Sequence, residues 1–164
     1  MIIDPQTFAA TVITPALQQI NLFSPAAQQL LLGTALQESG LATRRQMGGG
    51  PALGFFQMEP ATANDIWDNY LKFRAPLAAL VTGLLSTPTA DRVAELETND
   101  SYAAGMARIR YARVPEALPA LDDIDAMAAY WKEHYNTPGG AGTADEFVAN
   151  WNRAMGAAAE AAGA

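Results

Sequence analysis

Apolar residues recur at every third or fourth position along most of this chain, and no stretch alternates apolar with polar residues over the length of a strand. Prolines and glycines divide this helical pattern into segments. We therefore expect a mainly α fold with little or no β-structure. Because no linker or internal repeat is visible, the pattern predicts one domain over residues 1–154. The Ala/Gly-rich tail at 155–164 is expected to be a fraying helix end or a mobile segment.

The expected helices lie between loops rich in glycine, proline and small polar residues. They cover residues 5–20, where Pro15 should kink or divide the helix, and then 25–39, 60–73, 75–85, 91–96, 99–113, 122–135 and a last helix from 143. Between the second and third helices, the run Gly48-Gly49-Gly50-Pro51 excludes regular structure and predicts a loop.

Composition excludes several kinds of chemistry. The 164 residues contain no cysteine and one histidine, His134, so we expect no thiol catalysis, disulfide, metal site or cofactor. No apolar run approaches the ~20 residues that span a bilayer. The net charge of −7 repels nucleic acid and anionic lipid, so neither is an expected partner. Residues 1–5 lack a basic leader and a following apolar core, and no secretory signal is expected.

Glu38 is the first candidate for chemistry. Ser24 is the expected cap of its helix and Gly40 the expected stop, which places Glu38 in the last turn. Its face of the helix carries apolar or small residues at the positions three, four and seven before it. Partial burial and the negative end of the helix dipole both disfavour a charged carboxylate there. We therefore expect a raised pKa and a role for Glu38 as general acid.

Downstream of Glu38, the chain contains the run Gly54-Phe55-Phe56-Gln57-Met58-Glu59-Pro60-Ala61-Thr62. Together with Glu38-Ser39 and the Gly-rich loop, this run resembles the soluble lytic transglycosylases and the goose-type lysozymes. Their pattern is a catalytic Glu followed by Ser, then Gly-Leu-Met-Gln, then Pro and Thr. The matching positions are Glu38, Ser39, Gly54, Gln57, Pro60 and Thr62. Phe55 and Phe56 replace the usual Leu-Met.

Two later stretches resemble the same families more loosely. Asn99 and Gly105 stand where the family has an Asn…Gly…Tyr-Leu helix, although Arg108 and Ile109 fall at the Tyr-Leu position. The second match has two candidates, residues 128–131 (Ala-Ala-Tyr-Trp) and residues 135–139 (Tyr-Asn-Thr-Pro-Gly), which look like the family's Ala-Tyr-Asn-Ala-Gly motif, whose tyrosine lies beside the catalytic acid. Tyr135-Asn136 fits best, because Asn, Pro and Gly follow in the family's order.

The resemblance implies a lysozyme-like fold and cleavage of the β-1,4 bond between N-acetylmuramic acid and N-acetylglucosamine in peptidoglycan glycan strands. In lytic transglycosylases one glutamate acts first as an acid and then as a base, which implies that role for Glu38. The implied substrate-binding residues are Ser39, Gln57, Phe56, Tyr135 and Asn136. Ser39 and Asn136 could equally be a helix-end residue and a turn residue.

Glu59 leaves a second mechanism open. Transglycosylases usually have an apolar residue at this position, whereas goose-type lysozymes have an aspartate. Glu59 is therefore either a second catalytic carboxylate, which would hold a water in a hydrolytic muramidase, or an acid favoured by the helix dipole just before Pro60.

Other residues also have two interpretations. Arg44 and Arg45 either hold carboxylates of a lactyl group or peptide stem, or are solvated loop charges. Trp67, Tyr70 and Phe73 either line a sugar groove or belong to the core, which is more usual for aromatic residues at helical spacing.

A third hypothesis is a lysozyme-like domain without catalysis, retained as a structural or wall-binding part of a phage particle or a secretion machine. In each case the target is the cell wall or periplasm. Without a leader, we expect delivery by a virion, by a secretion machine or by lysis.

Overall fold

The structure, a computed structural model, describes residues 3–137 and 139–164. Its helices are α1 (Pro5–Phe8), α2 (Thr14–Gln19), α3 (Pro25–Ser39), α4 (Pro60–Asn69), α5 (Ala75–Thr82), α6 (Ala94–Thr98), α7 (Asp100–Ala112), α8 (Ile124–Trp131) and α9 (Ala144–Gly163). Within the described ranges there is no strand, and Leu53 alone forms isolated bridges, with Arg45 and Met58. The buried apolar residues make one cluster. The prediction of a mainly α, single-domain fold is confirmed.

The interruption expected at Pro15 takes the form of a π-helical turn. Residues Ala9–Ile13 connect α1 to α2, and the amide of Thr14 donates to the carbonyl of Ala9 five residues earlier. Proline has no amide hydrogen, and its ring crowds the carbonyl four residues before it. The wider π turn makes room for that ring without ending the helical path. A second π turn, Lys132–Asn136, continues α8.

Side-chain caps fix the predicted starts of the long helices. Ser24, Asn99 and Thr143 each accept a hydrogen bond from the amide three residues further on, at 3.0, 3.0 and 3.1 Å. Such a cap satisfies one of the amides that a helix start leaves unpaired. The sequence prediction of these three starts is confirmed.

Helix α3 is the central element, and it packs against α1, α7, α8 and α9. Phe147 of α9 lies directly on Gly33, where an added Cβ would stand 2.3 Å from the ring. Gly40 ends the helix at φ +61°, as predicted. Because α3 is buried from Leu30 to Leu36 and only half-buried in its last turn, Glu38 stands at the edge of the core.

Helix α9 extends through Gly163. Residues 155–163, predicted as an Ala/Gly-rich tail, are therefore the C-terminal part of this helix. Ala157, Ala158 and Ala161 line a shallow apolar groove beside Pro5 and Leu36. Alanine has the highest helix propensity, which explains why the helix persists with so few large side chains.

The loop between α3 and α4 is attached to the rest of the fold by two ion pairs. Arg44 donates two hydrogen bonds to Asp100, at 3.1 and 2.8 Å, and its guanidinium lies 4.1 Å from the ring centre of Phe55. Arg45 pairs with Glu97 at 2.7 Å. Neither arginine lines a cavity with Glu38. The prediction that they hold substrate carboxylates, or are free loop charges, is thus replaced by a structural role in fixing the loop.

Candidate active site

Glu38 faces an open cavity at the end of α3. The indole Nε1 of Trp131 donates a hydrogen bond of 2.9 Å to Oε1 of Glu38. Burial raises the pKa of Glu38 to about 7, while the Trp131 hydrogen bond and the charge of Arg110 act in the opposite direction. The raised pKa predicted from the sequence is confirmed. At neutral pH this carboxyl exchanges readily between its acidic and basic forms, which suits general acid–base catalysis.

The cavity has a volume of about 710 Å³ and lies between the end of α3, the α3–α4 loop, the start of α4 and the chain around the second π turn. Its wall combines carboxylates, amides, hydroxyls and backbone. The lining residues are Glu38, Ser39, Thr43, Gln46, Met47, Ala52, Gln57, Glu59, Thr62, Arg110, Tyr135, Asn136, Thr137, Gly140, Ala141 and Gly142. Of the residues predicted to form the site, the structure brings six to one cavity and leaves Phe56 outside it.

A tight turn positions Gln57 in the cavity wall. Gly54 and Gln57 both have left-handed backbones, at φ +74° and +46°. The side-chain amide of Gln57 donates to the carbonyl of Gly54 at 2.8 Å. Its side-chain oxygen has no hydrogen-bond partner among the described residues. Gln57 therefore braces the turn through its nitrogen and offers its oxygen to the cavity.

Ser39 connects the end of α3 to the same turn. Its hydroxyl lies 2.7 Å from the carbonyl oxygen of Phe55 and 3.0 Å from that of Ala35. It also accepts a hydrogen bond of 3.3 Å from the amide of Leu41. A hydroxyl has one hydrogen, so donation to a backbone carbonyl leaves none for Glu38. Ser39 lines the cavity, but its contacts are those of a residue that holds the loop against the helix.

Tyr135 stands on the second π turn and is buried. Its hydroxyl donates to the carbonyl of Phe56 at 2.7 Å rather than to Glu38. Burial raises the pKa of Tyr135, so the phenol stays protonated. The ring of Phe56 is buried in the core, 6.2 Å from the ring of Phe8. The prediction that the Phe56 side chain contacts substrate is therefore wrong, because that side chain is buried and Phe56 does not line the cavity.

Asn136 lies at the cavity edge, in a small polar cluster. The ammonium of Lys132 donates to Oδ1 of Asn136 at 2.8 Å and to the carbonyl of Gly140 at 2.7 Å. This lysine connects the π turn to the following loop. The oxygen of Asn136 is thereby engaged, and its amide nitrogen has no partner within the described part of the chain. Pro138, part of the quoted motif, lies outside the described residues.

Glu59 lines the same cavity as Glu38 from the start of α4. It occupies the N-cap position, yet its side chain makes no capping hydrogen bond. The residue is exposed. The missing hydrogen bond excludes a capping role, but a favourable interaction with the helix dipole needs no such bond, so both interpretations of Glu59 stay open. The carboxylate of Glu59 remains open to the cavity.

The sequence predicted no role at the site for two residues, Trp131 and Arg110. Trp131 holds Glu38 directly, and Arg110 lies over the ring of Tyr135, 4.3 Å from its centre, and donates to the carbonyl of the same residue. Trp131 stands four residues before Tyr135, a spacing that shares a helix face, so the predicted role of Tyr135 could have pointed to it. No comparable signal marks Arg110, whose position depends on how α7 packs.

The aromatic residues after α4's start divide between core and surface. Trp67 is buried, and its Nε1 donates to the hydroxyl of Tyr102 at 2.9 Å. Phe73 is 72 % exposed. Tyr70 stacks on Arg74 at 3.7 Å. None of the three lines the cavity that contains Glu38. Of the two interpretations, the core role fits Trp67.

No protein-family model matches this chain, and comparison with curated proteins and with solved structures likewise gave no match. Within residues 3–137 and 139–164 there is no group of three histidine, aspartate or glutamate side chains placed to hold a metal ion. Over the same residues, no helix is both long and apolar enough to cross a membrane. Inference about function therefore rests on the geometry of the site and on the motif.

Trp131→Phe should raise the pKa of Glu38 above about 7, because phenylalanine fills much of the same space but cannot donate the hydrogen bond that favours the carboxylate. We expect the pKa of Glu38 to rise by roughly 1, because losing a hydrogen bond that stabilises the charged form by about 1.4 kcal/mol changes the pKa by that amount. The measurement is a ¹³C NMR titration of glutamate carboxyl groups, with Glu38→Gln to assign the resonance.

The matched control is Trp67→Phe, since that indole donates to a tyrosine hydroxyl and not to Glu38. It should leave the pKa of Glu38 unchanged. If Trp131→Phe and Trp67→Phe gave the same Glu38 titration, the hydrogen bond would have no part in setting the charge of the site.

Proposed function

We propose that this protein cleaves the β-1,4 bond between N-acetylmuramic acid and N-acetylglucosamine in peptidoglycan, as a lytic transglycosylase with Glu38 as its acid and base. The observation that carries the proposal is a partly buried carboxyl with a pKa of about 7 in the wall of an open cavity. The cavity also contains Gln57, Tyr135 and Asn136, the residues that the motif joins to this glutamate.

In the proposed reaction, Glu38 donates its proton to the glycosidic oxygen as that oxygen leaves C1 of N-acetylmuramic acid. The carbonyl of the sugar's own N-acetyl group stabilises the positive charge at C1. Glu38, now a carboxylate, takes the proton from the sugar's 6-hydroxyl while that oxygen bonds to C1 and closes a 1,6-anhydro ring. A pKa near neutrality serves both steps, because neither form of the carboxyl is scarce.

Trp131 and Arg110 favour the charged state of Glu38, whereas burial favours the protonated state. When the proton has left, the indole hydrogen bond and the guanidinium charge both favour the carboxylate. Burial has the opposite effect and favours the acid. The balance keeps the free energies of the two forms close, which a single residue acting twice requires.

A second candidate is hydrolysis at the same bond by a goose-type muramidase mechanism, and the position of Glu59 favours it. Its uncapped, exposed carboxylate lines the same cavity as Glu38. In that mechanism Glu59 would hold and deprotonate a water that attacks C1 from the face opposite the leaving group. The two candidates share Glu38 as acid and differ in the group that attacks.

Digestion of purified peptidoglycan, followed by mass spectrometry of the soluble products, tests both candidates. A transglycosylase releases muropeptides that end in 1,6-anhydro-N-acetylmuramic acid. A hydrolase releases the same fragments with a reducing end, heavier by one water. Glu59→Gln should stop the hydrolase but not the transglycosylase. If the folded protein released neither product, the catalytic proposal would fail, and a wall-binding component would be the remaining interpretation.

A further inference from the structure

A second cavity of about 450 Å³ adjoins the one that contains Glu38. The two cavities share Thr62 and Arg110 in their walls. The second continues along the outer face of α4 and the end of α7, where its lining residues are Ala61, Thr62, Asp65, Arg110, Arg113 and His134. A polymer bound at Glu38 that extends past Thr62 would therefore enter this space.

The second cavity is a cationic region in an acidic protein. The chain has 10 lysines and arginines against 17 acids, yet two arginines, Arg110 and Arg113, meet here with Asp65 as the one acid in the lining. Arg44 and Arg45 pair with Asp100 and Glu97 outside both cavities. Arg110 also donates to the carbonyl of Tyr135, and Arg113 pairs with Asp65, but both arginines line the open space of the cavity.

Arg113 forms its ion pair in the wall of this cavity, whereas Arg44 and Arg45 line neither cavity. Its Nη1 donates to Oδ2 of Asp65 at 2.7 Å, and the two side chains are 31 % and 47 % exposed. Within the described residues, Nη1 is the only atom of this guanidinium that makes a hydrogen bond. A guanidinium presents five donors in a planar fork that fits a carboxylate. Asp65 therefore occupies, in the free protein, a position that a ligand carboxylate could take.

We infer that the second cavity binds a carboxylate carried by the glycan strand, with Arg113 as the main ligand, Arg110 beside it and Asp65 as a competing internal anion. This inference rests on the proposed function, because it concerns substituents of the same substrate. The carboxylate is either that of the lactyl group in peptide-free strands or one of those in the peptide stem. Both offer the same chemistry to the guanidinium, and the choice of ligands below distinguishes them.

The test is isothermal titration calorimetry on the Glu38→Gln protein, which should bind without turnover. The ligands are a peptide-free tetrasaccharide of alternating N-acetylglucosamine and N-acetylmuramic acid, the same tetrasaccharide with its lactyl carboxylates converted to methylamides, and the tetrasaccharide bearing its peptide stems. Tighter binding of the first ligand than of the second identifies the lactyl carboxylate. Tighter binding of the third alone identifies a carboxylate of the stem.

Substitutions in the Arg113–Asp65 ion pair test which residue binds the carboxylate. Adding Arg113→Gln should weaken binding of the preferred carboxylate ligand by about tenfold, the loss expected for one charge-assisted contact, and leave the methylamide ligand within about twofold. Adding Asp65→Asn should strengthen binding of the same ligand several-fold, because Arg113 no longer has an internal partner. Arg153→Gln is the matched control, since Arg153 lies on α9 and lines a separate groove.

A gain of affinity in Asp65→Asn is not expected from a residue that only supports the fold, since breaking the ion pair removes a contact. Equal affinities for all three ligands, or equal effects of Arg113→Gln and Arg153→Gln, would overturn the carboxylate site and leave the proposed function intact. If none of the ligands bound to the folded protein, the proposed function would fail, and the carboxylate site with it.

Discussion

Glu38→Gln should reduce the cleavage of peptidoglycan by at least about 1,000-fold while leaving the protein folded, since general acid–base groups typically contribute 10²–10⁴-fold and this residue acts in both steps. Glutamine has the same shape and can still accept the hydrogen bond from Nε1 of Trp131. It cannot supply or take a proton. The measurement is the rate of release of soluble muropeptides, followed by mass spectrometry.

Glu160→Gln is the matched control, because Glu160 is an exposed acid near the end of α9 and does not line the cavity. The same substitution there should leave the rate within about twofold of the natural protein. If Glu38→Gln kept more than about a tenth of the activity, Glu38 would not be the proton donor, and the mechanism would have to rest on Glu59.

The pH dependence of stability checks the same residue without substrate. Below pH 4.5 the carboxyl of Glu38 is protonated in both the folded and the unfolded protein, so the natural protein and Glu38→Gln should differ least there. As the pH rises through about 7, the folded protein must hold a charged carboxylate in a partly buried site. Because the unfolded protein releases this proton near pH 4.5, the natural protein should lose up to about 3 kcal/mol of unfolding free energy relative to the variant between pH 4.5 and about 7, and little more above it.

Local signals in the sequence were sufficient to predict the helix that carries Glu38. The cap at Ser24, the stop at Gly40 and the apolar face three, four and seven residues before Glu38 all lie within one segment, and each is set by short-range sterics or hydrogen bonding. The raised pKa followed from that placement. In the same way, the helical spacing alone predicted a mainly α fold with little or no β-structure.

The features that sequence reasoning missed depend on contacts between distant segments. Trp131 and Glu38 are 93 positions apart in the chain. Arg44 pairs with Asp100 on α7, and Arg45 pairs with Glu97 on α6. Helix packing decides which partner each charged side chain meets. The spacing of residues within one segment does not predict how the helices pack. The direction of Phe56 was missed for another reason: the left-handed residues in its turn point its ring into the core and its carbonyl toward Tyr135.

Gly54→Ala should be among the most destabilising single substitutions in this protein, at more than about 3 kcal/mol. Gly54 has φ +74°, a region in which a side chain costs roughly 1–2 kcal/mol. An added Cβ would also stand 2.1 Å from the backbone carbonyl oxygen of Leu96, far inside contact distance. Backbone cannot rotate away as a side chain can, so the turn or the end of α6 must move.

Gly40→Ala separates these two causes, because Gly40 has φ +61° and nothing within 4 Å of its added Cβ. It should lose only the cost of the left-handed backbone, roughly 1–2 kcal/mol. Urea denaturation gives both free energies, and at this chain length the extra loss in Gly54→Ala corresponds to a further fall in Tm of several degrees. Equal losses of unfolding free energy in the two variants would mean that the backbone at Leu96 moves away from the added Cβ at little energetic cost. The motif glycine would then be required only for its backbone angle, and not for the close contact between the turn that positions Gln57 and α6.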